Sequence, residues 1–502
     1  MRVNGSELRC KVVGEGGNLG LSQQGRIEYM LNGGRANTDF IDNAGGVDCS
    51  DKEVNIKILL NAIVSNGDMT LKQRNNLLAK MTDEVAGIVL NDNYMQIQSI
   101  SITESRSQKT LKEYMRFIHD MEKNGFLDRQ LECIPSDDQL LERKAKGYGL
   151  TRGSLSVLVA YGKMQLKESL CVPEITQNPY YSKLLHNYFP KPLRSKYKNE
   201  MENHRLRNEI IATELANSMV NFMGSNYAYR IHDETGANIV EIAACFSIAM
   251  EIFDVYTLWD KVRELDNQVS APVQHEIMAR SQRMIRRATR WFLRHGDRSV
   301  PMQDYITYFK DDIKKLSDEV AVVLEKREER ELNGIVRKYV KSGVPKDLAV
   351  KVTYLSTLFS GLDIVEMAKL SGEDTMVVAE IYYKLGAKLE LHWFLDQIVL
   401  QPVENHWQAF ARSAFREELD WQQRGLTLAV LNLTSGDSNP EIRLKGWIKE
   451  SRELIQRWQT MVADFKSTNS HEFAKFSVAL RELLILVQRC IKLTKEKEKT
   501  TS

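Results

Sequence analysis

Apolar residues recur at helical spacing over most of the chain. Between residues 70 and 90 they fall at Leu71, Leu77, Leu78, Met81, Val85 and Ile88, and between 209 and 223 at Ile210, Ile211, Leu215 and Met219. A third stretch, 470–490, places Phe473, Phe476, Leu480, Leu483, Leu484 and Val487 on one face, with Ser470 as a cap. Residues 237–262 predict another long helix. The beginning of the chain reads differently. Residues 8–13 predict a buried strand ending at Gly14, and residues 38–41 a second short strand. Residues 22–31 predict a helix between them. A longer helix is expected from Asp51 as its N-cap, with Val54, Ile58, Leu59 and Ala62 on one side.

Strand–helix–strand–helix is the order of a parallel α/β sheet. Such sheets are buried on both faces and have several strands. Two strands leave an unpaired edge. The expectation is an incomplete sheet whose other strands lie upstream in a longer polypeptide. Glycine and proline sharpen the division. Ten of the 28 glycines fall in residues 1–50, and no proline occurs before Pro135. Residues 171–197 hold four prolines and several tyrosines, among them Tyr180, Tyr181, Tyr188 and Tyr197, which predicts a packed connecting loop. No fixed-period repeat marks a solenoid, so the body is expected to be a helical bundle.

Composition adds exclusions. At 43% hydrophobic and 27% charged, with 502 residues, the chain suits several globular domains. Its net charge of +2 gives no reason to expect a nucleic-acid or membrane partner. The six cysteines are scattered, with no C-x-x-C spacing, so neither a metal site nor a disulfide framework is expected. A reducing, cytoplasmic setting fits them. The nine histidines contain no H-E-x-x-H.

Two segments carry candidate chemistry. Gly14-Glu15-Gly16-Gly17-Asn18-Leu19-Gly20 follows the first predicted strand. Glycines there let backbone N–H groups approach a ligand, although a plain tight turn is the competing reading. The second, Asn43-Ala44-Gly45-Gly46-Val47-Asp48-Cys49-Ser50, precedes the helix expected from Asp51. Ser50 and the first amides of that helix suit a carboxylate or phosphate, and simple capping is the alternative. Arg280, Arg283, Arg287, Arg290 and Arg294 form a basic stripe beside an apolar face of Ile277, Met284, Ala288 and Trp291. The stripe reads as solvated, or as paired with charged helices such as 311–331. An RNA or acidic-effector site is the alternative.

Together, Glu15-Gly16-Gly17-Asn18, Asn43-Ala44-Gly45-Gly46-Val47 and Ser50 resemble the closing part of the glutamate dehydrogenase cofactor domain. The strings VVGEGGNLGLSQQGRIEY, GGRANTDFIDNAGGVDCSDKEVNIKILL and YGLTRGSLSVLVAYGKMQLKESL resemble the large bacterial NAD-dependent branch. Gly17 stands where the family has alanine. The resemblance implies a mainly α chain. An incomplete Rossmann-like α/β segment would cover 1–66, helices packing on it 67–170, a helical C-terminal domain 171–490, and a disordered tail 491–502.

The implied activity is NAD-dependent oxidative deamination of L-glutamate to 2-oxoglutarate and ammonia. By the resemblance, Gly16, Gly17 and Asn18 lie near the NAD, Asn43 at the nicotinamide–substrate junction, and Ser50 on the distal carboxylate of glutamate. No catalytic residue is assigned, because the family's lysine segment has no match here. The isolated chain is therefore expected to be inactive, and its helical body to mediate homo-oligomer contacts. A non-catalytic oligomerisation or regulatory module is the alternative.

Overall fold

The computed structural model describes residues 3–17, 20–297, 299–403, 405–433, 439–468 and 472–501. The β pairing among them is a single parallel bridge between Val12 and Arg35. There the Val13 N–H donates to the Arg35 carbonyl (2.9 Å) and the Arg35 N–H to the Lys11 carbonyl (3.0 Å). Helices build the rest. In chain order they begin with α1 (Gln23–Leu31), α2 (Asp39–Asp42), α3 (Ala44–Ser65), α4 (Leu71–Glu104), α5 (Ser107–Lys123), α6 (Asp137–Ala145) and α7 (Arg152–Leu170). Short pieces follow: α8 (Pro173–Thr176), α9 (Ser182–Tyr188), α10 (Lys191–Arg194) and α11 (Lys198–Glu202). Then come α12 (Arg207–Met223), α13 (Tyr227–Thr235), α14 (Ile239–Ile252), α15 (Val255–Arg263) and α16 (Ala271–His295).

The chain divides into two compact units, Met1–Ala249 with Ala271–Gln303, and Met250–Ser270 with Asp304–Ser502. In the first, α3 packs on α4, and α7 packs on both α4 and α12. The expected boundaries at 66/67 and 170/171 therefore fall inside this unit. Its core includes Leu59, Leu60, Ile63, Ile100, Leu158, Leu170, Ile211 and Met219. The Ser99 hydroxyl donates to the Val220 carbonyl (2.8 Å), tying α4 to α12. Gly162 lets α7 approach residue 225 closely, since a Cβ there would lie 3.2 Å from the Ser225 Cβ.

The second unit contains α15, α17 (Met302–Val323), α18 (Lys326–Lys341), α19 (Lys346–Leu358), α20 (Gly361–Ser371), α21 (Thr375–Lys388) and α22 (Leu391–Leu400). It closes with α23 (His406–Leu433), α24 (Pro440–Glu450), α25 (Arg452–Thr468) and α26 (Phe473–Thr501). Phe394 lies 5.4 Å from Trp458, 5.7 Å from Phe465 and 5.4 Å from Phe476, centroid to centroid. These rings join α22, α25 and α26 in one aromatic core. The Trp458 indole N–H reaches the Leu389 carbonyl at 2.7 Å, so its polar edge is satisfied when buried.

Several expectations are corrected. Residues 8–13 make one bridge only and are largely exposed, not a buried strand, and residues 38–41 are not a strand. Thr38 has extended backbone and begins α2, whose Asp42 turns its carboxylate onto neighbouring donors. The incomplete Rossmann-like α/β segment is thus not present as a sheet among the described residues: the N-terminal segment is helical apart from that bridge. Helix α3 starts at Ala44, not after Asp51, so Ser50 lies inside a helix with its amide in the helical ladder.

Residues 237–262 break in two, because Asp254 adopts a left-handed conformation (φ 48°) between α14 and α15. Residues 171–197 are not a plain loop. Pro173 and Pro192 sit in first turns, where a missing N–H costs nothing, and start α8 and α10. Tyr181, Tyr188 and Tyr197 are buried there as expected. Helix α26 continues to Thr501, where an unstructured tail was expected; a Lys/Glu-rich composition also favours helix. Ser470 lies outside the described residues.

Candidate functional site

The glycine-rich loop is held from beneath by a buried ion pair. Glu15 and Arg26 are each about 4% exposed at the side chain, and meet at 2.5 Å. The second Glu15 oxygen accepts the Leu21 amide (2.8 Å), which closes the loop over residues 15–21. The Glu15 amide donates to Asp42 at the end of α2 (3.0 Å). Asp42 also accepts from Asn37 (2.7 Å), and Asn37 accepts from the Arg152 guanidinium (2.8 and 3.0 Å) at the start of α7. Arg152 continues to Ser101 and Glu104 on α4, each at 2.9 Å. A relay of charged groups thus connects the loop, the α2–α3 junction and the helical body.

Gly14, Gly16 and Gly17 face open space: a Cβ at any of them would meet nothing within 4 Å. None has a positive φ. Among the described residues nothing requires glycine at these positions. Asn43 joins α2 to α3 and is half-buried. Ser50 is exposed seven residues further on, about two turns or ~10 Å along the helix, on the same side as Asn43. Its hydroxyl donates to the Gly46 carbonyl (3.2 Å). Val47 (70% exposed) and Val54 (52% exposed) lie on that outer side too. The structure therefore ties Gly16 and Gly17 to Asn43 through Glu15 and Asp42, and sets Ser50 on the Asn43 side of α3. Asn18 lies outside the described residues.

The inner side of α3 carries a cluster that pattern reading missed. Lys52 is buried, its ammonium 3.8 Å from Asp92 on α4, 3.9 Å from Glu214 on α12, and 3.6 Å above the Tyr188 ring. The Tyr188 hydroxyl donates to Asp51 (2.7 Å) and accepts from Asn55 (2.8 Å). Lys163 on α7 faces the same carboxylates, and its ammonium is held down to about 8 by burial. Burial raises the Glu214 carboxyl to about 7 and the Asp48 carboxyl to about 6, Lys52 opposing both. One Asp48 oxygen is buried with no donor. The neighbouring Asp92 and Asp51 carboxylates raise Asp48 as well. The signal available in the sequence was Lys163, a lone lysine after the apolar run 155–161. All six cysteines are free, and no metal-holding group of His, Cys, Asp or Glu occurs among the described residues. No single helix there is long and apolar enough to cross a membrane.

The loop-bearing segment and the helical body match two parts of one class of oxidoreductase. A family model described as the catalytic domain of bacterial NAD-glutamate dehydrogenase matches residues 1–103, and one described as the C-terminal part of glutamate dehydrogenase matches residues 147–484. The chain belongs to the bacterial NAD-dependent glutamate dehydrogenase family and corresponds to a C-terminal portion of it. It is 43% identical to the NAD-specific glutamate dehydrogenase of Pseudomonas aeruginosa and 42% to that of Halomonas elongata, each over 488 residues. It is 32% identical to that of Mycobacterium tuberculosis over 483 residues. These matches cover 96–97% of the chain but 30% of each relative's length.

Two outcomes test the site's electrostatics. Glu15→Gln leaves Arg26 buried beside Asp39 alone (3.5 Å), and should lower stability by about 3 kcal/mol in urea unfolding. An unchanged midpoint would show that the pair does not hold the loop. The second concerns pH. In the folded chain Glu214 keeps a proton that the unfolded chain releases, so its stabilisation is full below pH 4.5 and is lost as pH rises to about 7. Lys163 is depressed, so its contribution rises between about pH 8 and 10.5. The stability difference between wild type and Glu214→Gln should fall by up to about 3 kcal/mol from pH 4.5 to 7, read by denaturation at each pH. Parallel curves for the two proteins over that interval would refute the assignment.

Proposed function

We propose that this chain supplies the closing part of the cofactor and substrate site of an NAD-dependent glutamate dehydrogenase, the oxidative deamination of L-glutamate to 2-oxoglutarate and ammonia. The observation that carries the reading is the placement of Gly16 and Gly17, which no internal contact explains, beside the α2–α3 junction that begins the Asn43–Ser50 face. NAD supplies the hydride-accepting chemistry when bound. Gly16 and Gly17 admit its approach to the loop backbone, and Asn18 is assigned to NAD by the family resemblance alone. Asn43 orients the nicotinamide–substrate junction, and the Ser50 hydroxyl donates to the distal carboxylate of glutamate. Lys52 pairs with carboxylates on the inner side of α3 and Lys163 bonds Gln96 beside them, so on this reading the chain contributes binding and orientation, not proton transfer. The protein works in the cytoplasm on this reading, in keeping with its free thiols.

The full-length enzyme provides the test. Ser50→Ala should raise the KM for glutamate at least ~10-fold with kcat within about threefold, because one charge-assisted hydrogen bond is lost. Gly17→Val should raise the KM for NAD instead. An unchanged glutamate KM in Ser50→Ala removes Ser50 from the substrate site. The chain alone should give no NADH from glutamate and NAD.

A second role, assembly through the helical body, is favoured by the exposed apolar surface of the second unit. Trp407 is 80% exposed, Val322 84% and Leu400 64%. Homo-oligomerisation through this unit predicts that Trp407→Ser shifts the mass measured by light scattering toward the monomer; a wild-type monomer at high concentration would exclude it.

A further inference from the structure

The arginine stripe on α16 belongs to a larger cluster whose charges do not balance. Arg230 on α13 bonds Glu113 on α5 at 2.5 Å and Glu234 at 2.7 Å. Arg290 on α16 pairs with the same Glu234. Both carboxylates are thereby engaged. The neighbouring Asp233 is taken by Arg116 (3.8 Å). Two further guanidinium groups belong to the same helices and feel the Glu113 charge: Arg286, one turn before Arg290, and Arg106, at the N-cap of the helix that carries Glu113. Among the described residues neither makes an ion pair or side-chain hydrogen bond. Four arginines thus surround two carboxylates, all within the first unit.

Holding a cation in a poorly solvated place without a counter-charge is unfavourable. Burial, and the repulsion of Arg230 and Arg290, push the Arg286 guanidinium far below its ordinary range. Burial does the same, more mildly, to Arg106. Arg106, Arg230 and Arg286 are half-buried, so their donors remain within reach of a solute. Planar guanidinium forks bind carboxylate and phosphate oxygens in pairs.

We propose that Arg106, Arg230 and Arg286 form a binding site for a compact small-molecule polyanion bearing phosphate or carboxylate groups, between α5, α13 and α16. A compact ligand is favoured over RNA. The three arginines are recessed among helices instead of lining an exposed stripe, and the chain's net charge is only +2. The site is independent of the α3 face and stands or falls apart from the dehydrogenase reading.

The test is calorimetric titration of the 502-residue chain at fixed ionic strength with inorganic pyrophosphate and, separately, tricarballylate. One saturable event per chain is expected, with a Kd below about 1 mM. The tighter of the two probes distinguishes a phosphate from a carboxylate ligand. Arg286→Gln and Arg106→Gln should each weaken it at least ~10-fold, and the exposed Arg327→Gln should not change it. If Arg286→Gln fails to fold, Arg286→Lys retains the charge without the fork and should still weaken binding. The proposal is overturned by three results: no saturable heat with either probe, affinities unchanged in the folded variants, or Arg286-dependent binding of single-stranded RNA alone.

Discussion

Glu15, Arg26 and Asp42 hold the N-terminal segment to the helices that follow it. A segment with one β-bridge has no sheet to fix its loops, so the constraint comes from charge instead. The Glu15 carboxylate closes the glycine loop through Leu21 and neutralises Arg26, while its own amide is spent on Asp42. Asp42 then passes the connection through Asn37 to Arg152, and so to α4. Each group is satisfied by the next, so removing one leaves a buried charge unpaired and not merely a gap.

Helix α3 separates two kinds of surface. Its outer side presents Val47, Ser50 and Val54 to solvent. Its inner side presents Asp48, Asp51, Lys52 and Asn55 to α4, α9 and α12. Further along, the inner side is apolar, with Ile56, Leu59, Leu60 and Ile63 buried, so the charged cluster is confined to the first turns of the helix. The ion pairs of Lys52 with Asp92 and Glu214 would be broken by a slide of α3 along its axis. Burial raises both Glu214 and Asp48 in the inner cluster, against the pull of Lys52.

The first unit therefore handles buried charge in three ways. The Glu15–Arg26 pair is balanced. The α3 cluster sets Lys52 and Lys163 among carboxyls that burial raises. The arginines between α5, α13 and α16 remain in excess. The second unit relies more on rings, with Phe394, Trp458, Phe465 and Phe476 at its centre, and uses ion pairs such as Arg443 with Glu373 (2.6 Å).

Local pattern alone determined the helices with one apolar face. The expected helices over 22–31 and from residue 70 are present as α1 and α4, and Ile277, Met284, Ala288 and Trp291 are buried as the α16 pattern requires. The glycine loop and the Asn43–Ser50 segment were legible as short strings, and so was the family. Residues 38–41 and the start of α3 were not, because Asp42 is a helix residue only when Asn37 and the Glu15 amide are there to receive its carboxylate. Lys52, Lys163 and Glu214 lie far apart along the chain, and Arg106 and Arg286 still farther. Whether such charges pair, share a proton or stay in surplus depends on which helices meet. Distance in space sets a Coulomb energy, and only the tertiary structure decides that distance.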